Sequence, residues 1–350
     1  MVNWSLARDV ARFASGSPPG GELGVDLGDL VPAAEQHVAG YTGLQPLEMM
    51  PPPEAIDRGE WTEINLGTLA DLLGPVTERL DERFAHAGPF TGPLRMAAGA
   101  TLATEAGLVV GYMSQRVLGQ YELSLMQPES PTRLLFIAPN LRRAIHEMNV
   151  DRDSFLMWIV LHELTHVLQF SGVSWLREHM SGLLREYLDT VEVRIEGGAA
   201  GGLPSLPNPS EIAARFREGG LAALVQTREQ RDIMRRIQAA MSVIEGYSEH
   251  VMDAVGADLL PNYEGLREAM ERRRRSRSAP HRVLERLLGL DLKMRQYELG
   301  KRFCDAVADR AGIEGLNRVW ETPDALPSLR ELEHPDAWLE RVTGDSVVAA

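Results

Sequence analysis

The chain of 350 residues holds a single cysteine, Cys304. No intrachain disulfide can form and no cysteine-based metal site can be built, a composition that fits the reducing cytoplasm. Positive charge is also scarce. Against 50 Asp and Glu stand 36 Lys and Arg, leaving a formal net charge of −14. So acidic a chain disfavours nucleic acid or an anionic membrane as the main partner. The first residues, MVNWSLARDVARF, lack the basic stretch and apolar run of a secretory leader. A long apolar run is missing too. The nearest approach, Met96 to Met113, is rich in Ala and Gly but carries Glu105. It reads as a buried helix of close-packed small residues, not as a membrane span. There is no GxSxG motif, and Cys304 sits in an apolar helical context, so serine and cysteine nucleophiles are poor readings.

What remains is an ordinary globular composition, 44% apolar and 25% charged, long enough for one large domain or two modest ones. Helical periodicity marks residues 3–15, 27–43, 61–73 and 75–85. The proline run in MMPPPEAIDR closes the second of these segments. Thr132 to Pro139, TRLLFIAP, is the best strand candidate: short, apolar and ended by proline. It could line a cleft and pair with an extended peptide, or stand as an internal strand of the sheet. Asp151 or Asp153 is placed to cap a helix over residues 154–170 that is apolar nearly all round. Residues 197–210 are a loop by composition, read first as a plain surface connection and second as a cleft flap. Further helices are expected over 228–255 and 282–310, separated by the basic run 271–277. The whole reads as mainly α with a small β-sheet.

Within the apolar helix stands His162-Glu163-Leu164-Thr165-His166, an HExxH sequence. At about 100° per residue, positions 162, 166 and 163 fall near 0°, 40° and 100° around the axis, on one arc. The two imidazoles lie one turn apart and suit one small cation, with the carboxylate beside them to reach a metal-bound water. A random chain of this length contains HExxH with a probability of roughly one to two per cent. Burying two histidines and a glutamate without partners would cost several kcal/mol each, which disfavours an idle role. Zinc is the expected metal and iron(II) the runner-up.

Two histidines hold a catalytic zinc poorly, so a third ligand is expected. His179 is a weak candidate because it lies in WLREHM, an amphipathic segment. Ile244 to Asp253, IEGYSEHVMD, is the better place. Glu245, Glu249 and Asp253 follow at i, i+4 and i+8 along one helix face, where three acids repel one another unless a cation or donors face them. The preferred assignment makes Glu245 the ligand, with Gly246 allowing close approach to the metal and Glu249 orienting a ligand histidine. The competing one makes Glu249 the ligand and Asp253 the orienting group.

HELTH followed far downstream by EGYSEHVMD resembles the gluzincin pattern. With GYMSQRVLGQYE (111–122), FIAPNL (136–141) and LLGLDLKMRQYELGKRFCDAV (287–307), the chain resembles a bacterial zincin-like metalloprotease family. Members of that family are labelled hydrolases or deazaflavin-coenzyme biosynthesis-associated proteins. The resemblance runs from Trp4 to about Val342. It implies a mostly helical zincin-like fold and zinc-dependent metalloprotease activity, without naming a substrate. The chain departs from well-studied gluzincins in the 78 residues, 167–244, that separate His166 from Glu245. The expected organisation is an N-terminal helical region, 1–90, packed on a zincin-like catalytic region, 91–345.

The expected reaction is hydrolysis of an amide bond in a peptide or small amide, with Glu163 as base. Tyr297, or Tyr247, is a candidate to stabilise the oxyanion; for each, a core tyrosine is the competing reading. Two other functions fit the same residues: a catalytically silent scaffold retaining structural zinc, and a small-metabolite amidohydrolase.

Overall fold

The computed structural model describes residues 2–16, 27–47, 49–86, 92–127, 130–190, 227–275 and 290–344. The fold is mainly α with one three-stranded sheet. Two compact units divide the chain: residues 1–181 with 251–269, and residues 182–250 with 270–350. The flap candidate, 197–210, lies outside the described residues, as does the end of the basic run at 276–277.

In the first unit the chain opens with α1 (Trp4–Ser15), α2 (Leu27–Thr42), β1 (Pro53–Ile56), α3 (Arg58–His86) and α4 (Gly92–Ser114). The sequence suggests two helices where α3 is one. Pro75 lies inside it, and the chain continues helically through the single backbone bond that proline removes. The small-residue segment is α4, which packs on α1. A Cβ on Gly107 would lie 2.5 Å from the Ala7 carbonyl oxygen, and one on Gly111 would lie 2.7 Å from that of Ala11. Ala7, Ala11 and Ala103 are fully buried at this crossing. The composition of α4 therefore serves close helix packing. Among the described residues, no helix is long and apolar enough to cross a membrane.

The sheet contains β1, β2 (Gly119–Glu122) and β3 (Arg133–Ile137) in the order β1-β3-β2. β1 runs parallel to β3 and β2 antiparallel. The apolar run Leu134-Leu135-Phe136-Ile137 is fully buried as the central strand, with both its edges paired. Of the two sequence readings it is the internal strand, with no edge to offer a peptide; β2 lies at the sheet edge. From β3 the chain turns into α5 (Ala138–Met148) and then α6 (Arg152–Gly172). Asp151 caps α6 by accepting the Ser154 N–H at 2.9 Å.

The polar centre of this unit is Arg58. Its guanidinium donates to Asn140 Oδ1 at 2.7 Å and to the carbonyls of Ser15 and Gly16 at the end of α1. Asn140 in turn donates to the carbonyls of Ser114 and Val117. Burial lowers the Arg58 pKa from its usual value, with Arg143 nearby acting in the same direction.

After α7 (Leu176–Asp189) comes a long helix, α8 (Arg228–Leu259), then α9 (Tyr263–Arg275) and α10 (Leu290–Asn317). The second unit is organised around the crossing of α8 with α10. A Cβ on Gly246 would lie 2.2 Å from the Gly300 carbonyl carbon, and one on Gly300 would lie 1.8 Å from the Ser242 carbonyl oxygen. Backbone rests on backbone here, which only glycine permits. Two 3-10 turns, α11 (Leu329–Glu333) and α12 (Pro335–Thr343) close the chain. Trp338 is fully buried, donates its indole N–H to the Ala325 carbonyl and meets the Phe303 ring edge-to-face.

Candidate metal centre

The apolar circumference of α6 buries the helix, and the same burial sets its few polar side chains. His166 Nδ1 lies 2.9 Å from Gln169 Oε1, and Gln169 is fully buried. His162 places Nδ1 3.1 Å from Met252 Sδ on α8. With an acceptor facing each Nδ1, the protons belong there, and both Nε2 lone pairs converge. The two Nε2 atoms stand 3.3 Å apart. Two imidazole nitrogens bound to one tetrahedral zinc at about 2.0–2.1 Å are separated by about 3.3–3.4 Å. Two lone pairs facing each other at that distance repel, and a cation relieves them.

Glu245 lies seven residues before Met252 on α8, within about 20° of it around the helix. His162, His166 and Glu245 each offer one ligand atom, and these atoms lie within 4.8 Å of one another. All three residues are half-buried. Two imidazoles and a carboxylate form a donor set that suits zinc and leaves room for a fourth, exchangeable position. The residues present therefore fit the ion.

Glu163 is turned toward the sheet. It is 7% exposed, and its Oε2 accepts the Tyr121 N–H at 3.0 Å. Its carboxylate lies flat on β2, where a Cβ on Gly119 would come within 2.7 Å of Glu163 Cγ and Oε1.

Residues 2–339 match the model of the zincin-like metallopeptidase family. The chain belongs to this family. It is also similar to the crystal structure of a "putative hydrolase with a novel fold" from Chloroflexus aurantiacus. The two share 30% identity over 99% of this chain and 100% of that one, with a TM-score of 0.74. A comparison with curated proteins finds no match. The zincin-like fold, a metal-binding role and hydrolase chemistry follow from membership.

The remaining sequence candidates are placed as follows. Glu249, one turn past Glu245, is half-buried and is not a member of the three-residue group. Asp253 accepts from the Tyr263 hydroxyl and pairs with Arg267 at 3.0 Å. Tyr247 is fully buried, donates its hydroxyl to Asn317 Oδ1 at 2.7 Å and stacks edge-to-face on Trp320. That is the setting of a core tyrosine. Tyr297 falls in α10, and its side chain lies outside the described residues. His179 lies edge-to-face on Trp175 in α7. Gly246 serves the crossing with Gly300, where the sequence reading had given it an approach to the metal.

Sequence reasoning missed Gln169, Met252, Gly119 and Tyr121. Gln169 was open to discovery: at i+3 from His166 on an apolar helix, a buried amide needs a partner. Nothing in the sequence marks Met252 as the neighbour of a histidine 90 positions away.

Proposed function

We propose that the chain is a zinc-dependent peptide hydrolase, with His162, His166 and Glu245 holding the ion and Glu163 acting as general base. The observation that carries this reading is the convergence of the two Nε2 atoms at 3.3 Å, with Glu163, the next residue after His162, buried. Zinc, when bound, supplies Lewis-acid polarisation of a carbonyl and acidifies water. The protein's own contribution is the rest. Gln169 and Met252 hold the imidazoles with Nδ1 protonated, so that both present Nε2. Glu163 takes the proton from water as it attacks the carbonyl and returns it to the leaving amine. A structural zinc site has no need of a base, which favours an enzyme over a silent scaffold.

A peptide is favoured over a small metabolite by membership of a metallopeptidase family, and β2 serves the base. Ile137 N–H donates to the Leu118 carbonyl, and antiparallel alternation gives the next ladder bonds to Gln120 and Glu122. The backbone groups of Gly119 and Tyr121 therefore point away from β3, beside Glu163. Glu163 takes up that edge, its Oε2 accepting the Tyr121 N–H.

Turnover of a peptide library by zinc-loaded protein tests the proposal. Wild type is expected to cleave, and Glu163→Ala to lose 10²- to 10⁴-fold in rate, roughly the worth of a general base, while keeping its zinc. Cleavage by Glu163→Ala at the wild-type rate would sink the assignment.

A further inference from the structure

Glu163 is held from two sides by one strand, and this contact is separate from anything that holds the metal. Oε2 accepts the Tyr121 N–H at 3.0 Å. Gly119, two residues earlier on the same outward-facing edge, leaves no space above its Cα, because any Cβ would meet Glu163 Cγ, Oε1 and Cδ at 2.7 to 2.9 Å. The hydrogen bond fixes where one oxygen sits. The missing side chain lets the carboxylate lie flat enough to make that bond. Both contacts fall within the first compact unit.

We infer that Gly119 and the backbone N–H of Tyr121 form a clamp that positions the Glu163 carboxylate, so that the strand edge beside the site aims the base. This rests on the reading of Glu163 as the general base. The clamp explains why the LGQY segment carries glycine in a strand, where glycine is otherwise unfavourable. Gly119 and Tyr121 are positioning residues, acting through Glu163 and not on the substrate.

Two substitutions separate the parts of the clamp. Gly119→Ala pushes the carboxylate off the strand. Tyr121→Pro removes the N–H without costing a ladder bond, since that N–H points away from β3, and an edge strand tolerates proline. Tyr121→Ala keeps the N–H and controls for the lost ring, which lies 6.4 Å from Phe170.

The first readout is amide hydrogen exchange in metal-free protein. The Tyr121 N–H is expected to be protected in wild type and in Tyr121→Ala. It is expected to exchange at least about tenfold faster in Gly119→Ala and in Glu163→Ala, with Gln120 and Glu122, paired to β3, unchanged. The second readout is steady-state kinetics of zinc-loaded protein on a peptide that wild type cleaves. Gly119→Ala and Tyr121→Pro are each expected to lower kcat by about 10- to 100-fold, the order produced by a misplacement near 1 Å, with KM and zinc stoichiometry unchanged. A merely structural role would change KM, zinc content and the exchange of the whole strand together. Equal Tyr121 exchange in wild type and Glu163→Ala would overturn the clamp, as would a wild-type kcat in both Gly119→Ala and Tyr121→Pro. The exchange arm needs no turnover, so failure of the hydrolase reading is distinguishable from failure of the clamp.

Discussion

Replacing Gly246 by alanine sets two opposing effects against each other, and the structure decides the sign. On an exposed helix the change would gain about 1 kcal/mol, because alanine loses less backbone entropy than glycine. In α8 the new Cβ would lie 2.2 Å from the Gly300 carbonyl carbon and 2.5 Å from its oxygen. Ordinary contact is near 3.5–4.0 Å, so α8 and α10 must separate by roughly 1 Å or more. Both colliding groups are backbone, so no side chain can rotate out of the way. Overpacking of this kind typically costs about 1–3 kcal/mol, and a backbone clash belongs at the upper end. The net expectation is a loss of about 1–2 kcal/mol. Gly300→Ala should do at least as much, given the 1.8 Å approach to the Ser242 carbonyl oxygen. Urea titration with hydrogen-exchange mass spectrometry on peptides from 228–259 and 290–317 reads the effect locally, without assuming that a chain of two units unfolds in one step. An unchanged or higher midpoint in Gly246→Ala would refute the crossing, because it would show the glycine facing open space.

Other consequences are testable alongside. Gln169→Ala should weaken zinc binding about 10- to 100-fold in a chelator competition, since the tautomer of His166 is then unheld; unchanged affinity would remove Gln169 from the account. Glu245→Ala should lose zinc while Glu249→Ala keeps it, and the reverse result would exchange their roles. Arg58→Met should cost about 1–3 kcal/mol by chemical denaturation, because Asn140 Oδ1 and the α1 carbonyls lose their donor inside the core; a neutral result would mean that water replaces it. Asp305 meets two opposing influences. Burial raises its pKa, but hydrogen bonds from His250 and Lys301 outweigh that and hold it below the usual carboxylate range. Its contribution to stability is therefore present above its unfolded pKa, near 4, and lost as pH falls through the lower folded value. Asp305→Asn should be less stable than wild type at pH 6, and the difference should shrink on acidification below pH 4; a gap that widens in acid would reverse the sign.

The metal helix was the most legible part of the chain. Its period, a cap at Asp151 or Asp153 and the arc shared by His162, Glu163 and His166 follow from local rules; the structure caps the helix with Asp151 and brings the two imidazoles together. β3 was legible because a central strand is apolar on both faces. β1 and β2 were not. Each has four residues, one opens on Pro53 and the other is GQYE, and neither carries an alternation that a strand pattern could detect. Their pairing is decided by β3, a long-range effect. The roles of the glycines were equally hidden. Gly107, Gly111, Gly119, Gly246 and Gly300 look like helix or strand breakers in isolation, and each marks a place where another element comes close. Met252 lay beyond reach for the same reason, since only the packed position of α8 brings its sulfur to His162.

X-ray absorption at the zinc edge of the reconstituted protein tests the central claim most directly. The account expects one zinc per chain, two imidazole nitrogens at about 2.0–2.1 Å and the remaining ligands oxygen, with one imidazole lost in His162→Ala. A sulfur ligand, or a zinc environment unchanged by His162→Ala, would contradict it.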